Sequence, residues 1–165
     1  MKKAVFCFVV LFVAGFVYLG ADPAEGFWLS VDDKTDQVTG GWEIYVENQR
    51  LCGRLVSAPL APAGTLAVLC KDSYPNFPLS GKVNTMPVLG TPWLYGLKQD
   101  RAGQWSGGSV IDPNNGNIYK CKVTFHAADG NRYKTDTLEM RGEIGLGIGR
   151  SQFWRKASEA EARGQ

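Results

Sequence analysis

The stretch WSGGSVIDPNNGNIYKCKVTF, residues 105–125, decides the fold of this chain. Its last part places apolar side chains at every second position, with two lysines and a threonine between them, as in Tyr119, Cys121, Val123 and Phe125. Successive side chains of a β-strand point to opposite sides, so this spacing predicts a strand with one buried and one solvated face. The Asp-Pro-Asn-Asn-Gly sequence at 112–116 supplies a turn before that strand. The whole stretch therefore predicts a β-hairpin.

The same alternation recurs along the chain, and helical spacing is almost absent after Phe27. GWEIYVE at 41–47 and TLEMRG at 137–142 are two further examples. Eight or nine runs of this kind are predicted as strands, near residues 27–31, 41–47, 51–57, 65–70, 93–98, 105–111, 117–126, 136–142 and 148–155. Many short strands without a long helix leave two architectures, a closed β-barrel or a β-sandwich.

Two proline-rich segments lack a clear strand pattern. Residues 58–64 and 74–92 are predicted to form loops at one end of the sheet structure. The polar C-terminal tail, 157–165, has some helix propensity, and we expect it to fray. The predicted organisation is a signal peptide at 1–21, a single β domain at 25–156 and this tail.

The N-terminus has the features of an export signal peptide. Two lysines precede an uncharged apolar run, residues 4–19, and small residues follow it. The run is shorter than the ~20 residues that a transmembrane helix needs. We expect cleavage near Ala21 or Ala24, which predicts a periplasmic or secreted protein without stable membrane insertion. An uncleaved N-terminal anchor is the alternative.

Charge and cysteine content exclude several classes of protein. The chain has 18 basic and 16 acidic residues, and without the two lysines of the signal peptide the balance is even. A neutral, mixed surface argues against nucleic acid or anionic lipid as the main partner. The remaining cysteines, Cys52, Cys70 and Cys121, form no Cys-x-x-Cys or Cys/His cluster, so no zinc site is predicted. One pair could form in an oxidising compartment, and the spacing does not select which.

Three features look like functional motifs but fit structural roles better. Counted from Asp112, the asparagine-rich turn lacks the glycine and glutamate positions of an EF-hand calcium loop. The glycines of GLGIG, 145–149, precede an alternating strand instead of the helix that a dinucleotide loop requires. His126 has no Gly-x-Ser-x-Gly nucleophile elbow to serve, and the apolar neighbours of Cys121 disfavour a thiolate. We therefore expect no catalytic residue, metal or cofactor.

Three segments carry a resemblance to a known family. GFWLSVDD at 26–33, WSGGSVIDPNNGNIYKCKV at 105–123 and LEMRGEIGLGIGRSQFWRK at 138–156 resemble, in this order, the bacterial domain-of-unknown-function family 2147, a family of small exported proteins. The positions that match its pattern are Gly26, Trp28, Trp105, Gly107, Gly108, Asp112, Pro113, Gly116, Tyr119, Leu138, Arg141, Gly142, Gly149, Arg150, Gln152, Trp154 and Arg155. We assign the matches between 105 and 116 a structural role in the hairpin.

This family resembles the calycins, the group of β-barrels that includes the lipocalins. The resemblance implies that residues 25–156 form one antiparallel up-and-down β-barrel of about eight strands. It also implies that an arginine from near the last strand covers the indole of Trp28 in the Gly-x-Trp motif and closes one barrel end. Arg150 and Arg155 both qualify, and we favour Arg150 because alternation places it on the same face as Trp154.

The same resemblance implies a binding protein without catalytic activity. The leading hypothesis is an exported β-barrel that binds a small hydrophobic or amphipathic ligand, such as a lipid or fatty acid, inside the barrel. Tyr119, Phe125 and Met140 are predicted to line its cavity, with Trp28 and Arg150 closing the opposite end.

The alternative hypothesis is a packed barrel that acts as an envelope protein-protein interaction or assembly factor. The contact surface would be the proline-rich loop 74–92, because exposed apolar clusters often mark binding sites. In and beside this loop we expect Tyr74, Phe77, Met86 and Trp93 to be exposed.

Overall fold

The computed structural model describes residues 20–145 and 148–165, so the apolar run of the predicted signal peptide lies outside the described residues. Eight strands make up about half of the described chain: β1 (Gly26–Val31), β2 (Val38–Glu47), β3 (Arg50–Ser57), β4 (Leu94–Arg101), β5 (Gln104–Asp112), β6 (Asn117–His126), β7 (Thr137–Gly145) and β8 (Ile148–Ala157). A 3-10 helix, Val83–Thr85, and a C-terminal helix, α1 (Glu159–Arg163), are the other elements. Within these two ranges, no helix has the length and apolarity to cross a membrane.

The eight strands form one closed antiparallel barrel in sequence order, with β8 returning to pair with β1. The predicted up-and-down β-barrel is confirmed, and the β-sandwich alternative is wrong. The hairpin at 105–125 is present as β5 and β6, which pair from Gln104 with Thr124 to Asp112 with Asn117. Closure gives every strand a neighbour on both sides, so the barrel has no edge strand.

The barrel has two places where neighbouring strands pair only briefly, here called its seams. At one seam β1 and β8 pair through residues 27–29 and 155–157. At the other, β3 and β4 pair within 51–53 and 94–97, with a register shift between the paired positions. The seams divide the barrel into a three-stranded sheet, β1–β3, and a five-stranded sheet, β4–β8.

Large apolar side chains fill the inside of the barrel. Cross-strand partners lie on the same face of a sheet, and pairs such as Trp28 with Trp42 identify the inward face. Full burial of one such side chain contributes ~1.5–3 kcal/mol. The buried inward side chains are Trp28, Trp42, Ile44, Leu51, Leu55, Leu94, Leu97, Trp105, Val110, Cys121, Val123, Leu138 and Trp154. The barrel is therefore packed over most of its length.

The long segment between β3 and β4 packs against the outer wall of the barrel instead of remaining a loop at one end. The ring of Phe77 lies 6.4 Å from that of Trp93 and 5.3 Å from that of Tyr95. The hydroxyl of Tyr74 donates to the Gly116 carbonyl at 2.7 Å. The expectation that Tyr74 and Trp93 are exposed is wrong, since they are 7% and 0% exposed. We call residues 58–93 the outer layer.

The predicted strand at 65–70 is also wrong. Within this stretch Leu66 forms one isolated bridge, to Pro87, and the neighbouring residues form turns. A strand here would need a free sheet edge, and the closed barrel offers none. Its buried residues, Ala67 and Cys70, lie three positions apart, whereas strand burial would follow every second residue.

The C-terminal tail is docked, and the expectation that it frays is wrong. Ser158 and Glu161 form a reciprocal capping box at the start of α1. The Ala162 carbonyl accepts a hydrogen bond from the Ser57 hydroxyl at 2.6 Å. A Cβ atom at Gly41 would collide with the same carbonyl, so glycine allows this close approach. The helix thus crosses from β8 onto β2 and β3.

Candidate functional site

One end of the barrel, here called the floor, is closed by a lysine over Trp28. The Lys156 ammonium lies 4.3 Å from the centroid of the Trp28 ring and donates to the Glu25 carbonyl at 2.8 Å. Lys156 lies directly opposite Trp28 in the β1–β8 pairing. The indole nitrogen of Trp28 donates to the Ala24 carbonyl at 2.9 Å. Desolvation lowers the pKa of Lys156, although nearby Asp136 opposes the shift.

The prediction that Arg150 or Arg155 covers Trp28 is therefore wrong. Arg150 pairs with Asp33 at 2.7 Å, and Arg155 pairs with Asp36 at 3.4 Å, both in the loop after β1. Strand alternation tells which face a residue occupies, but only the register between β1 and β8 tells which residue lies opposite the indole.

A stacked tryptophan pair crosses the middle of the barrel. The rings of Trp42 and Trp154 lie 4.8 Å apart with an interplanar angle of 23°. The indole nitrogen of Trp42 donates to the Ser30 hydroxyl at 3.3 Å, and that of Trp154 donates to the Gln152 side-chain oxygen at 3.2 Å. Both buried indole nitrogens therefore have a hydrogen-bond acceptor, as buried donors require. The stacked rings lie between the two ends of the barrel.

The other end of the barrel, here called the mouth, has inward side chains that are only partly buried. Tyr119, Met140, Gly142 and Gln152 are of intermediate exposure. A Cβ atom at Gly142 would lie 3.4 Å from the Tyr119 Cβ, an ordinary contact distance. Arg150 is the cross-strand partner of Gly142 and is exposed at the rim. The mouth therefore combines an aromatic ring, a thioether, an amide and a cation.

The structure does not bring together the three residues predicted to line a cavity. Tyr119 lies at the mouth, and Met140 lies opposite Gln152, next to the tryptophan pair. Phe125 lies at the floor, where its ring meets Trp28 edge to face at 6.2 Å. Tyr119 and Phe125 are both on β6, separated by about 20 Å at ~3.3 Å per residue. Of the three predicted residues, only Tyr119 and Met140 can therefore belong to one site at the mouth.

The turn between β5 and β6 holds its own polar side chains together. The Asp112 carboxylate accepts from the backbone and side-chain nitrogens of Asn114 at 2.9 and 3.1 Å, and from the Asn115 side chain at 2.7 Å. Gly116 has φ 70°, and a Cβ atom there would collide with the Leu69 carbonyl. Among the described residues, no three His, Cys, Asp or Glu side chains are grouped as metal ligands.

A groove of about 580 Å³ lies outside the barrel, between the loop after β1 and the loop after β6, and both charged and aromatic side chains line it. Beside it, Nε2 of His126 lies 3.0 Å from Oε2 of Glu139, and the Ser151 hydroxyl donates to Oε1 of Glu139 at 2.6 Å. Burial tends to raise the pKa of Glu139, but these two partners outweigh it and lower the pKa. Because the serine donates to the carboxylate and not to the imidazole, this set lacks the serine–histidine contact of a Ser-His-acid triad.

The three cysteines of the barrel and outer layer are free and buried. Burial raises the pKa of the Cys121 thiol far above its ordinary value. Burial also raises the pKa values of Cys52 and Cys70. All three are therefore protonated at neutral pH, a state that disfavours nucleophilic attack.

Two parts of this arrangement were not foreseen from the sequence. Alternation identified Trp42 as inward, but its stacking partner depends on how β8, β1 and β2 curve around the barrel. Lys156 follows Trp154 by two positions on β8 and so shares its face. That spacing is the sequence signal for Lys156, whereas the family resemblance implied an arginine.

The closed eight-stranded fold is that of a lipocalin-like barrel. A similar solved structure carries the description "Protein HP1028 from the human pathogen Helicobacter pylori belongs to the lipocalin family"; it has 14% sequence identity and a TM-score of 0.64, and the alignment covers 86% of this chain and 87% of that one. The chain belongs to a bacterial family described as "Uncharacterized protein conserved in bacteria (DUF2147)", which matches residues 26–156. The resemblance noted from the sequence motifs is confirmed. None of the curated proteins matches this sequence.

Proposed function

We propose that this protein is an exported, non-enzymatic lipocalin-like barrel that binds a small amphipathic ligand, such as a fatty acid, at its mouth. The observation that carries the proposal is the contrast between the two barrel ends. Most inward side chains from the floor to the tryptophan pair are buried, with Phe125 and Lys156 as the exceptions, whereas Tyr119, Met140 and Gln152 at the mouth are partly exposed. Partly exposed apolar walls with a few polar groups suit a ligand of mixed character.

The tryptophan pair limits how deep a ligand can enter. Trp154 is 1% exposed and Trp42 is 8% exposed, and together they fill the barrel below Gln152. An apolar chain would therefore contact Tyr119 and Met140 and stop at the indole rings. Any longer part of the ligand would remain outside the mouth.

Arg150 provides a positive charge that could bind an anionic headgroup of the ligand. Its guanidinium is exposed at the rim and is held by Asp33 at 2.7 Å. Exposed ion pairs of this kind contribute only ~0–1 kcal/mol, so a ligand carboxylate can replace Asp33 at small cost. Gln152 adds an amide that can hydrogen-bond a polar group below the rim.

Export is part of the proposal. It is supported by the basic start, the apolar run and the small residues before Asp22. The mature protein would then act in the periplasm or outside the cell, as a single barrel with its docked C-terminal helix.

Tryptophan fluorescence tests the binding proposal. Saturated fatty acids of increasing length are titrated into the mature protein, and we expect a saturable change because the tryptophan pair lies beneath the mouth. Affinity should rise with chain length and then level off, since the barrel below is packed. Gly142→Leu should weaken binding about tenfold or more by filling the mouth. Thr124→Leu, on the outward face of β6, is the control and should leave binding unchanged. The absence of a saturable signal with every chain length would refute the proposal.

A second titration tests the headgroup. Arg150→Gln should weaken binding of a fatty acid more than binding of the corresponding alcohol. Arg155→Gln is a matched control, because Arg155 is also on β8 and also pairs with an acid of the loop after β1, but lies on the outward face. Equal effects of the two variants would remove Arg150 from the site.

A second candidate function is binding to another envelope protein through the outer layer. The residues first expected to make this contact do not suit it, because Tyr74 and Trp93 are buried and Phe77 and Met86 are partly buried. The support comes from other side chains, which are exposed and apolar: Leu60, Leu66, Val68, Leu69 and Leu79. Clusters of this kind often mark contact surfaces.

In-cell crosslinking separates the two candidates. A crosslinker placed at Val68 should capture one specific protein, and Leu69→Ser should reduce that product. Val38→Ser, at an exposed valine outside the outer layer, is the control. Products that contain lipid alone would favour the mouth, and unspecific products would count against the outer layer.

A further inference from the structure

We propose that the export leader is cut between Ala21 and Asp22, and that the new α-ammonium of Asp22 forms an ion pair with Glu25 that completes the barrel floor. The reaction is hydrolysis by the leader peptidase of the export machinery. Water adds across the Ala21–Asp22 peptide bond and leaves a carboxylate on Ala21 and an ammonium on Asp22. This inference rests on the export part of the proposed function and selects between the two cleavage positions that the sequence leaves open.

The Asp22 carboxylate is the first anchored group of the described chain. One oxygen accepts from the Ala24 backbone nitrogen at 2.9 Å and the Trp105 indole nitrogen at 3.0 Å. The other accepts from the Gln99 side chain at 2.8 Å and the Gly103 backbone nitrogen at 2.9 Å. Asp22 thereby joins the N-terminal segment to the end of β4, the β4–β5 turn and the start of β5.

Glu25 binds the other side of the same segment. Its Oε1 accepts from the Asp22 backbone nitrogen at 2.7 Å, and its Oε2 accepts from the Val46 backbone nitrogen at 3.2 Å. In the uncut chain the Asp22 nitrogen is a neutral amide. After cleavage it is an ammonium at the same place, and a charge-assisted hydrogen bond to a carboxylate is stronger than a neutral one.

Cleavage after Ala24 would remove two hydrogen-bond acceptors from the floor. It would remove Asp22, which accepts from the buried Trp105 indole. It would also remove the Ala24 carbonyl, which accepts from the Trp28 indole. Two indole donors would lose their acceptors, which is unfavourable for buried polar groups. Ala24 itself is 0% exposed, so this cleavage would also remove a buried apolar residue from the floor.

Cleavage after Ala21 meets none of these obstacles. Gly20 and Ala21 are exposed, and Ala21 supplies the small residue that directly precedes the cleaved bond. Pro23 lies beyond the bond that is cut, and its ring carbon Cγ would lie 3.2 Å from a Cβ atom at Gly103, packed against the β4–β5 turn. The boundary between exposed and anchored residues therefore falls between Ala21 and Asp22.

The first test identifies the mature N-terminus. The full chain is expressed in a bacterium, the exported fraction is purified, and its N-terminal sequence and intact mass are determined. We expect the sequence to begin Asp-Pro-Ala-Glu. An N-terminus at Glu25 would overturn this inference and leave export intact. An uncut chain retained in the cytoplasm would overturn export, and this inference with it.

The second test concerns the ion pair. Selective acetylation of the α-amine of the mature protein removes its charge and should lower the melting temperature. The same treatment of the Glu25→Gln variant should lower it distinctly less, because the partner charge is already absent. Glu47→Gln, an exposed acid at the end of β2, is the control and should respond as the unmodified sequence does. Equal losses in all three proteins would overturn the pairing while leaving the cleavage site unaffected.

Discussion

At the scale of single residues, Lys156 performs two tasks at the barrel floor. Its ammonium covers the Trp28 ring and ties the Glu25 carbonyl to β8. Both contacts cross the seam between β1 and β8. A cation–π contact at an exposed cation contributes ~0.5–1 kcal/mol, and the hydrogen bond adds to this contribution.

We predict that Lys156→Met destabilises the protein by about 1 kcal/mol, because the variant keeps the apolar stem of the side chain and loses both contacts of its charge. Urea unfolding followed by circular dichroism measures the change. Arg155→Met, one position away and in an exposed ion pair, should change the stability by less than half as much. Similar losses in the two variants would mean that the contact with Trp28 has no special weight.

The sequence allowed part of this residue-level picture to be predicted. The Gly-x-Trp motif and strand alternation indicated a cation beneath the barrel and gave its face on β8. They could not give its position along the strand, because that depends on the register with β1, which is set by the curvature of the whole barrel. The choice of Arg150 was wrong for this reason.

At the scale of elements, the turn between β5 and β6 links the barrel to the outer layer. Its side chains bond to one another around Asp112, which accounts for the turn itself. Its last residue, Gly116, touches the chain at Leu69 and accepts a hydrogen bond from Tyr74. The turn is therefore both a hairpin connection and a docking point.

We predict that Gly116→Ala destabilises the protein by about 2 kcal/mol or more, because a left-handed φ costs ~1–2 kcal/mol for an ordinary residue and the new Cβ would meet the Leu69 carbonyl. Gly130→Ala is a matched control, with φ 71° and open space around the position. The loss of stability in Gly130→Ala should therefore report the cost of the positive φ alone. Thermal unfolding of both variants gives the difference, and the same loss in each would show that Leu69 moves away without cost.

Alternation predicted the hairpin and most of the strands, because each depends on local spacing alone. It failed at 65–70, where apolar residues stand close together without forming a strand. Whether such a run pairs depends on a free sheet edge, and a closed barrel has none. The contact between Leu69 and Gly116 joins positions far apart in sequence, which no local pattern reveals.

At the scale of the whole molecule, the N-terminal segment makes folding sensitive to acid. Burial would raise the pKa of Asp22, but hydrogen bonds from Gly103, Trp105, Ala24 and Gln99 outweigh it and lower the pKa below its ordinary value. A carboxyl whose pKa is lower in the folded state contributes stability above its unfolded pKa, which is ~3.9 for aspartate. That contribution is lost as the pH falls through the folded-state pKa.

We predict that Asp22→Asn lowers the melting temperature at pH 7 and flattens its decline between about pH 5 and pH 2, because the variant has no carboxyl to protonate. A melting series across this pH range measures the slope. Asp72→Asn is the comparison: Asp72 also has a lowered pKa, caused by Lys82, but solvent screens this exposed pair, so the slope should flatten less than in Asp22→Asn. An unchanged acid slope in Asp22→Asn would show that other carboxyls control acid unfolding.

The two seams have a consequence for how the barrel comes apart. The backbone bonds are fewest there, so local opening should begin at β1–β8 or β3–β4, and amide hydrogens on these strands should exchange with solvent before those on β5, β6 and β7. Each seam is bridged by a segment outside the barrel. The C-terminal helix runs from β8 onto β2 and β3, and the outer layer returns to Leu55 through the Gly90 nitrogen at 2.8 Å. These two segments hold the sheets together across the seams. Loosening either one should therefore make it easier for the three-stranded sheet to separate from the five-stranded one.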